Sequence, residues 1–211
     1  MDRQRGFTLI EVVTVLAILG VLMALLLPHT VNARGYARQA PCMNNLHQIG
    51  LAFSMYLSDY GRWPPDVADL AVAGYVTPEL LVCPADPTGN QGGLVCHEKG
   101  KCRDLSPAFP TSYIYLSDRR TDDLWSRLEA LGSRGSYLAC QCHGRRMGEY
   151  GGGPRDIPWY EGKVLRLSFD GSVHIGHTDW DHGRHWQEVF SVWKTFTDEP
   201  CPPELRGHPP I

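Results

Sequence analysis

Three groups of cysteine and histidine side chains carry the chemistry open to this chain. They are Cys96, His97 and Cys102; Cys140, Cys142 and His143 in the run Cys-Gln-Cys-His; and His174, His177, His182 and His185. Thiolates and imidazoles are zinc ligands, so each group is a candidate centre. The spacings argue against it. Structural zinc hooks leave two to four residues between cysteines, whereas five separate Cys96 from Cys102 and one separates Cys140 from Cys142. Disulfides are the alternative for cysteines outside the cytoplasm. Cys42, Cys83, Cys96, Cys102, Cys140 and Cys142 are the candidates. Cys96–Cys102 would close a short loop, and Cys42–Cys83 would tie a helix to the domain. Six cysteines pair in many ways, so connectivity stays open. The seventh, Cys201, leaves an odd thiol.

Oxygen ligands form a fourth group. Asp179 and Asp181 alternate ahead of Gly183, a pattern suited to calcium, although a complete calcium loop needs more carboxylates. A solvated polar loop is the simpler reading. Ser168, Asp170, Ser172 and His174 are close in sequence, but a hairpin would set them on different faces. The chain has no nucleophile elbow, no His-Glu-x-x-His helix and no glycine-rich phosphate loop. It reads as a non-enzyme, with no resident cofactor required and calcium or zinc as the two ions its side chains could take.

Glu11 is a different kind of candidate. It is the one charge in an apolar run from Phe7 to Leu27, where Thr8 and Thr14 are the other polar side chains. As a helix the run would measure about 31 Å, close to the hydrocarbon thickness of a bilayer. A carboxylate inside such a span costs roughly 2.5–3.5 kcal/mol near the centre and less toward the end, so it marks a functional position. A cleaved secretory signal would have a shorter core and a small-x-small site after it. Here the small residue, Gly6, comes before the run, which places any cut on the near side and leaves the apolar helix on the mature chain.

Gly6-Phe7-Thr8-Leu9-Ile10-Glu11 resembles the processing site of type IV prepilins and type II secretion pseudopilins. The resemblance implies a membrane aspartyl peptidase that cuts between Gly6 and Phe7 and N-methylates the new Phe7 amine. It makes Glu11 the fifth mature residue, which pairs with the Phe7 ammonium of a neighbouring subunit in a filament. It also makes Pro28 the helix-kinking proline of many pilins. A second resemblance runs from Cys42 through Asn44, Asn45, Leu46, Gln48, Ile49, Gly50 and Ala52 to Tyr56. Cys83-Pro84-Ala85-Asp86-Pro87, Ser112-Tyr113-Ile114-Tyr115 and Asp170-Gly171 follow it in order. This is similar to a planctomycete-type pilin-like group. Many of its members carry a histidine ten residues before the Asp-Gly pair. Tyr160 stands there in this chain, and His143 is the candidate for a displaced counterpart.

The remaining chain supplies the elements. Leu46, Ile49, Phe53, Tyr56 and Tyr60 recur at helical spacing and predict an amphipathic helix up to Gly61. Pro41 would kink it or start it afresh. A short helix is expected over 66–75, a strand over 80–83, an irregular excursion over 84–110 and a strand over 111–116. A helix over 122–131 and a strand over 136–142 follow. A Gly- and Arg-rich loop covers 144–159. Val164–Phe169 and Ser172–Ile175 form a hairpin around a two-residue Asp-Gly turn. Residues 186–196 fit strand and helix equally.

At 211 residues with 43% hydrophobic and 20% charged side chains, the chain suits one domain with an anchor. The net charge of −3 gives no reason to expect nucleic acid. The expected class is α+β and pilin-like: a long N-terminal helix, transmembrane in its first half, packed on a small antiparallel sheet. The expected divisions are a leader over 1–6, a transmembrane and assembly helix over 7–28, its amphipathic continuation over 29–60, an exported domain over 61–199 and a Pro-rich tail over 200–211. The resemblance implies prepilin peptidase and N-methyltransferase, other pilin-like subunits and the inner membrane as partners. It implies a single pass with the N-terminus inside, and a place in a secretion or surface filament. The rival is a singly anchored extracytoplasmic binding module that never polymerises.

Overall fold

The computed structural model describes residues 8–86, 94–96, 102–104, 111–116, 123–150, 157–178 and 189–202. Side chains within 25–36, 94–96, 102–104, 147–150, 157–159 and 189–192, and that of Arg38, lie outside the description. The chain divides between Ala40 and Pro41 into two compact units. Helix α1, Leu9–Tyr60, contributes residues to both.

From Leu9 to Ala24, Glu11 and Thr14 aside, α1 is apolar on every side. Leu9, Ile10, Val13, Leu16, Ile18 and Met23 are exposed, Leu9 at 83%. A helix that is apolar all round belongs in a core or in lipid rather than in water. Among the described residues, no helix is long and apolar enough to cross a membrane. Of the expected span over 7–28, the described side chains run from Thr8 to Ala24.

The second unit packs the rest of α1 on a sheet. Its strands are β1 (Leu94–Cys96), β2 (Cys102–Asp104), β3 (Ile114–Leu116), β4 (Ser136–Cys140), β5 (Arg145–Tyr150), β6 (Ile157–Ser168) and β7 (Val173–Thr178). The order is β2-β1-β3-β4-β6-β5, with β7 also on β6. Every pairing is antiparallel except β1 with β3. Helices α2 (Ala68–Val72), α3 (Leu124–Ala130) and α4 (Val189–Phe196) complete the unit.

The predicted stripe is the seam between helix and sheet. Leu46, Ile49, Phe53 and Tyr56 are buried, and Cys42 extends the row one turn back. Tyr60 falls off its end, half exposed and stacked on Tyr56. Gly61 ends α1 with φ of 65°, its N–H reaching Leu57 O at 2.9 Å, as a C-terminal glycine should. Phe53 lies 5.2 Å from the Tyr115 ring and 5.0 Å from Tyr137. Leu165 and Leu167 of β6 are buried with them.

Four expectations need correction. Residues 80–83 are not a strand: Pro78–Leu81 is a 3-10 turn, opened by a proline that needs no N–H there. The loop expected over 144–159 contains β5 and the start of β6, paired from Arg145↔Glu161 to Tyr150↔Ile157. The run Arg-Arg-Met-Gly-Glu-Tyr has no apolar alternation, so the backbone pairing left no trace in its side chains. The hairpin is longer than expected, and Phe169–Ser172 connects its strands rather than Asp-Gly alone. The excursion over 84–110 holds β1 and β2. The open choice over 186–196 resolves as α4, with Trp193 and Phe196 on its buried side.

A single buried cation fastens α4 and β7 to the sheet. Arg166 of β6 is 0% exposed. Its Nε donates to Thr195 O at 2.8 Å, and Nη2 donates to Lys194 O at 2.8 Å and His177 O at 3.2 Å. Nη1 forms an ion pair with Asp198 at 2.9 Å. The first two acceptors are last-turn carbonyls of α4, where a positive charge meets the negative end of the helix. Burial lowers the affinity of Arg166 for its proton and Asp198 opposes that; guanidinium stays charged in proteins regardless. Gly176 of β7 makes room for it, since a Cβ there would lie 2.1 Å from Nη1. The guanidinium is held from several sides and cannot step aside cheaply. Gly176→Ala is expected to cost about 2 kcal/mol, read as a lower denaturant midpoint of the full chain.

Asp66 gives a pH dependence. Burial pushes its carboxyl up to about 6; the Ala68 N–H pulls it down and the charge of Asp69 adds to the rise. The folded value exceeds the unfolded one near 3.9, so this group's contribution is full below pH about 4 and is lost as pH rises through about 6. Asp66→Asn should therefore stabilise the protein by about 1 kcal/mol at pH 8, discounted for partial exposure, and by almost nothing at pH 4. Thermal melts at the two pH values check it.

Candidate functional site

Gly6 and Phe7 lie outside the described residues, so the processing site is seen only from Thr8 onward. There the structure shows a contact that the sequence reading passed over. Thr8 N donates to Glu11 Oε2 at 2.7 Å, Thr8 Oγ1 donates to the same oxygen at 2.7 Å, and Glu11 N donates to Thr8 Oγ1 at 3.4 Å. With Leu9 as the first helical residue, Thr8 is the N-cap and Glu11 the third position of the helix. This is a capping box. The signal was present as Thr-x-x-Glu ahead of an apolar run. It was read as a processing motif and not as a helix start. The carboxylate thus accepts from the amide and the hydroxyl of Thr8 in its own chain, which reduces the cost of placing it in an apolar stretch.

The second site is in the domain. Cys42 of α1, Cys83 after the 3-10 turn, Cys140 at the end of β4 and His143 in the following turn converge. Their ligand atoms all lie within 4.8 Å of one another. Cys42, Cys83 and Cys140 are buried and His143 is half-buried. Cys83 Sγ is 3.4 Å from His143 Nε2.

Each donor is held by its own scaffold. The stripe of α1 turns Cys42 inward, where its sulfur lies 3.9 Å from the Tyr113 hydroxyl. Asn45, one helical turn on, donates to the carbonyls of Leu80 and Val82 at 3.4 Å and so sets the segment that carries Cys83. Ser112 Oγ accepts from Cys83 N at 3.0 Å and donates to Asp86 at 2.6 Å. Ala85 N donates to Cys83 Sγ at 3.4 Å, and Asp86 N closes the turn on Cys83 O at 2.9 Å. That is the work of the Cys-Pro-Ala-Asp motif. Strand β4 delivers Cys140. The turn closed by Gly144 N on Gln141 O, 2.9 Å, carries Cys142 and His143. β4 and β5 follow one another along β6, from Cys140↔Leu165 to Arg145↔Glu161, and the four residues between them leave the ladder.

The electrostatics of the cluster are uneven. Hydrogen bonds from Cys140, Cys142 and Cys42 draw the Cys83 thiol well below its ordinary value, and His143 adds to this. Burial, then the sulfurs of Cys142, Cys42 and Cys83, push Cys140 well above it.

Other expected residues fall differently. Cys42, Cys83, Cys140 and Cys142 are free cysteines in this structure, and Cys83 has Cys140, Cys142 and Cys42 as neighbours rather than one partner. Cys142 stands beside the four, 4.0 Å from Ser112 O. Cys96 and Cys102 are opposite one another in the β1–β2 register, with side chains outside the description. Asp179, Asp181, His182 and His185 lie outside the described residues, as does His97. Ser168 and His174 meet, contrary to the expectation that the hairpin separates them: Oγ and Nδ1 are 3.1 Å apart. Ser168 is buried and its hydroxyl also donates to Ser133 O at 2.9 Å, while Asp170 accepts from Ser172 in the turn. The contact is a structural one. Tyr160, at the position of the group's histidine, is buried on β6 opposite Arg146.

Comparison with known proteins agrees with both parts of the chain. Residues 1–27 match the prokaryotic N-terminal methylation motif, and residues 31–71 match a family described as a protein of unknown function, DUF1559. The type II secretion system core protein G of Pseudomonas aeruginosa is 32% identical over 117 residues, covering 54% of this chain and 75% of that protein. Its counterpart in Escherichia coli K12 is 29% identical over 133 residues, covering 57% and 92%. The fimbrial protein EcpC of Eikenella corrodens is 38% identical over 73 residues, 35% of this chain and 48% of its own. For the Klebsiella pneumoniae core protein G, this chain spans 46% of the relative's length. No solved structure matches.

Thr8→Ala removes the cap while leaving the matched motif's glycine and glutamate in place. It should cost the start of α1 about 1 kcal/mol. Faster amide exchange at Glu11 in detergent micelles is the expected reading, with Thr8→Ser close to the parent.

Proposed function

The chain belongs to the type II secretion core protein G family of pilin-like proteins, and we propose that it is a filament subunit matured by cleavage after Gly6. The observation that supports this most is the first unit: an apolar helix, exposed on all sides, opened by a Thr8–Glu11 cap inside the methylation motif. Such a surface needs lipid before assembly and other helices after it. In this reading the apolar run from Phe7 to Leu27 holds the subunit in the inner membrane, N-terminus inside and domain outside. A prepilin peptidase frees Phe7 and methylates its amine. Glu11 then meets the Phe7 ammonium of the next subunit, and the apolar helices exchange lipid contacts for one another. The chain's own role is structural, as the substrate of a processing enzyme and a partner of other pilin-like subunits.

A second reading keeps the anchor and drops the polymer. It is favoured by one fact: the alignment to the Escherichia coli relative leaves much of this chain uncovered, at 57%. A singly anchored extracytoplasmic module could use the remainder for binding.

Intact mass and N-terminal sequencing of the protein from its native membrane should give N-methyl-Phe7 as the first residue. A start at Met1 would leave the motif unused and overturn maturation. Glu11→Leu separates the two readings after that. The filament subunit should still reach the membrane and vanish from the sheared filament fraction, whereas a plain anchor would behave like the parent.

A further inference from the structure

We propose that Cys42, Cys83, Cys140 and His143 bind one zinc ion as a structural centre of the domain. The donor set is three sulfurs and one imidazole nitrogen, a closed combination found in structural zinc sites. The size fits. Zinc–sulfur bonds of about 2.3 Å and zinc–nitrogen bonds of about 2.0 Å at tetrahedral angles give edges of roughly 3.8 Å between sulfurs and 3.5 Å from sulfur to nitrogen. The observed atoms all lie within 4.8 Å, and the Cys83–His143 edge is 3.4 Å.

The surroundings fit as well. A ligating thiolate is stabilised by backbone N–H groups, and Ala85 N already points at Cys83 Sγ. Cys83 is fixed from behind by Ser112 and Asp86. Cys42, Cys83 and Cys140 are buried, so water would have no place in the coordination sphere, which suits a structural ion and not a catalytic one. Soft thiolates at this geometry select zinc over calcium or magnesium. On binding, three thiols lose protons to solvent, His143 binds through neutral Nε2, and the divalent ion supplies the counter-charge that the bare thiols lack.

A disulfide cannot account for the same arrangement. It would join two of the sulfurs and leave the third thiol buried and the half-buried imidazole beside it. Zinc uses all four, and holds them reduced in a compartment that oxidises thiols. It would also join α1, the 83–86 turn and the β4–β5 turn, segments that are distant in sequence, so its effect on stability should be large.

The test uses the full chain purified in detergent under reducing conditions. Metal analysis should find one zinc per chain. Cobalt(II) in its place should give the strong visible bands and thiolate charge transfer of a tetrahedral sulfur-rich site. Cys142→Ser should keep the ion, since Cys142 is outside the four. His143→Ala and Cys83→Ser should each lose it or weaken it by orders of magnitude, with a large fall in melting temperature. Wild-type chain that takes up no stoichiometric zinc from zinc sulfate, or cobalt spectra of an octahedral site, would overturn the proposal. So would a native disulfide between any two of Cys42, Cys83 and Cys140 in non-reducing peptide mapping. The wild-type cobalt spectrum decides the matter even if the variants fail to fold.

Discussion

Three thiols and an imidazole from four separate segments come together at one buried point, and the layout of the domain follows from that meeting. The helix brings Cys42, a proline-led turn brings Cys83, a strand brings Cys140 and the turn after it brings His143. Cys42, Cys83 and Cys140 are part of the buried apolar core. Polar contacts orient them further: Asn45 on the carbonyls before Cys83, Ser112 on its amide, and Ala85 on its sulfur. These bonds are short-range and directional, and they fix atoms to within a few tenths of an ångström in a way that leucine packing does not.

The other face of the sheet, one register step from Cys140, solves a different problem with a different group. Arg166 is a full charge with no exposure. It is tolerable because α4 ends beside it and offers two carbonyls, β7 offers a third, and Asp198 supplies the opposite charge. The arginine therefore decides where the last helix stops and how closely β7 may approach. The aromatic seam of Phe53, Tyr115 and Tyr137 adds large apolar surfaces to the core under α1.

Much of this was legible in the residues, and the part that was not has a physical reason. The α1 stripe, its stop at Gly61, and the strand and helix around Ser136 and Leu128 follow from periodicity and from glycine, which report local geometry. β5 escaped because Arg-Arg-Met-Gly-Glu-Tyr shows no apolar alternation. The thiol cluster escaped because zinc-hook spacing is a local rule, and Cys42, Cys83 and Cys140 come from distant places in the chain. Cys140 and His143 stand out as a local pair in the sequence, whereas nothing local links Cys42 and Cys83 to them. The Thr8 cap was written in the sequence but hidden by a second meaning of the same six residues. The meeting of Ser168 with His174 follows from the register: His174 pairs with Arg166, and Ser168, two residues on, shares their face as the diagonal neighbour.

The void at Gly176 constrains the history of the protein as well as its stability. Position 176 lacks a side chain because position 166 has a long one lying over it. The two sites are therefore free to change in one order only. A lineage that first shortens the arginine opens space into which a methyl group at 176 can later grow. A lineage that first adds the methyl displaces a charge that has nowhere else to go. Descent through this fold should show the arginine lost before the glycine, and a chain that keeps the arginine should keep the glycine with it.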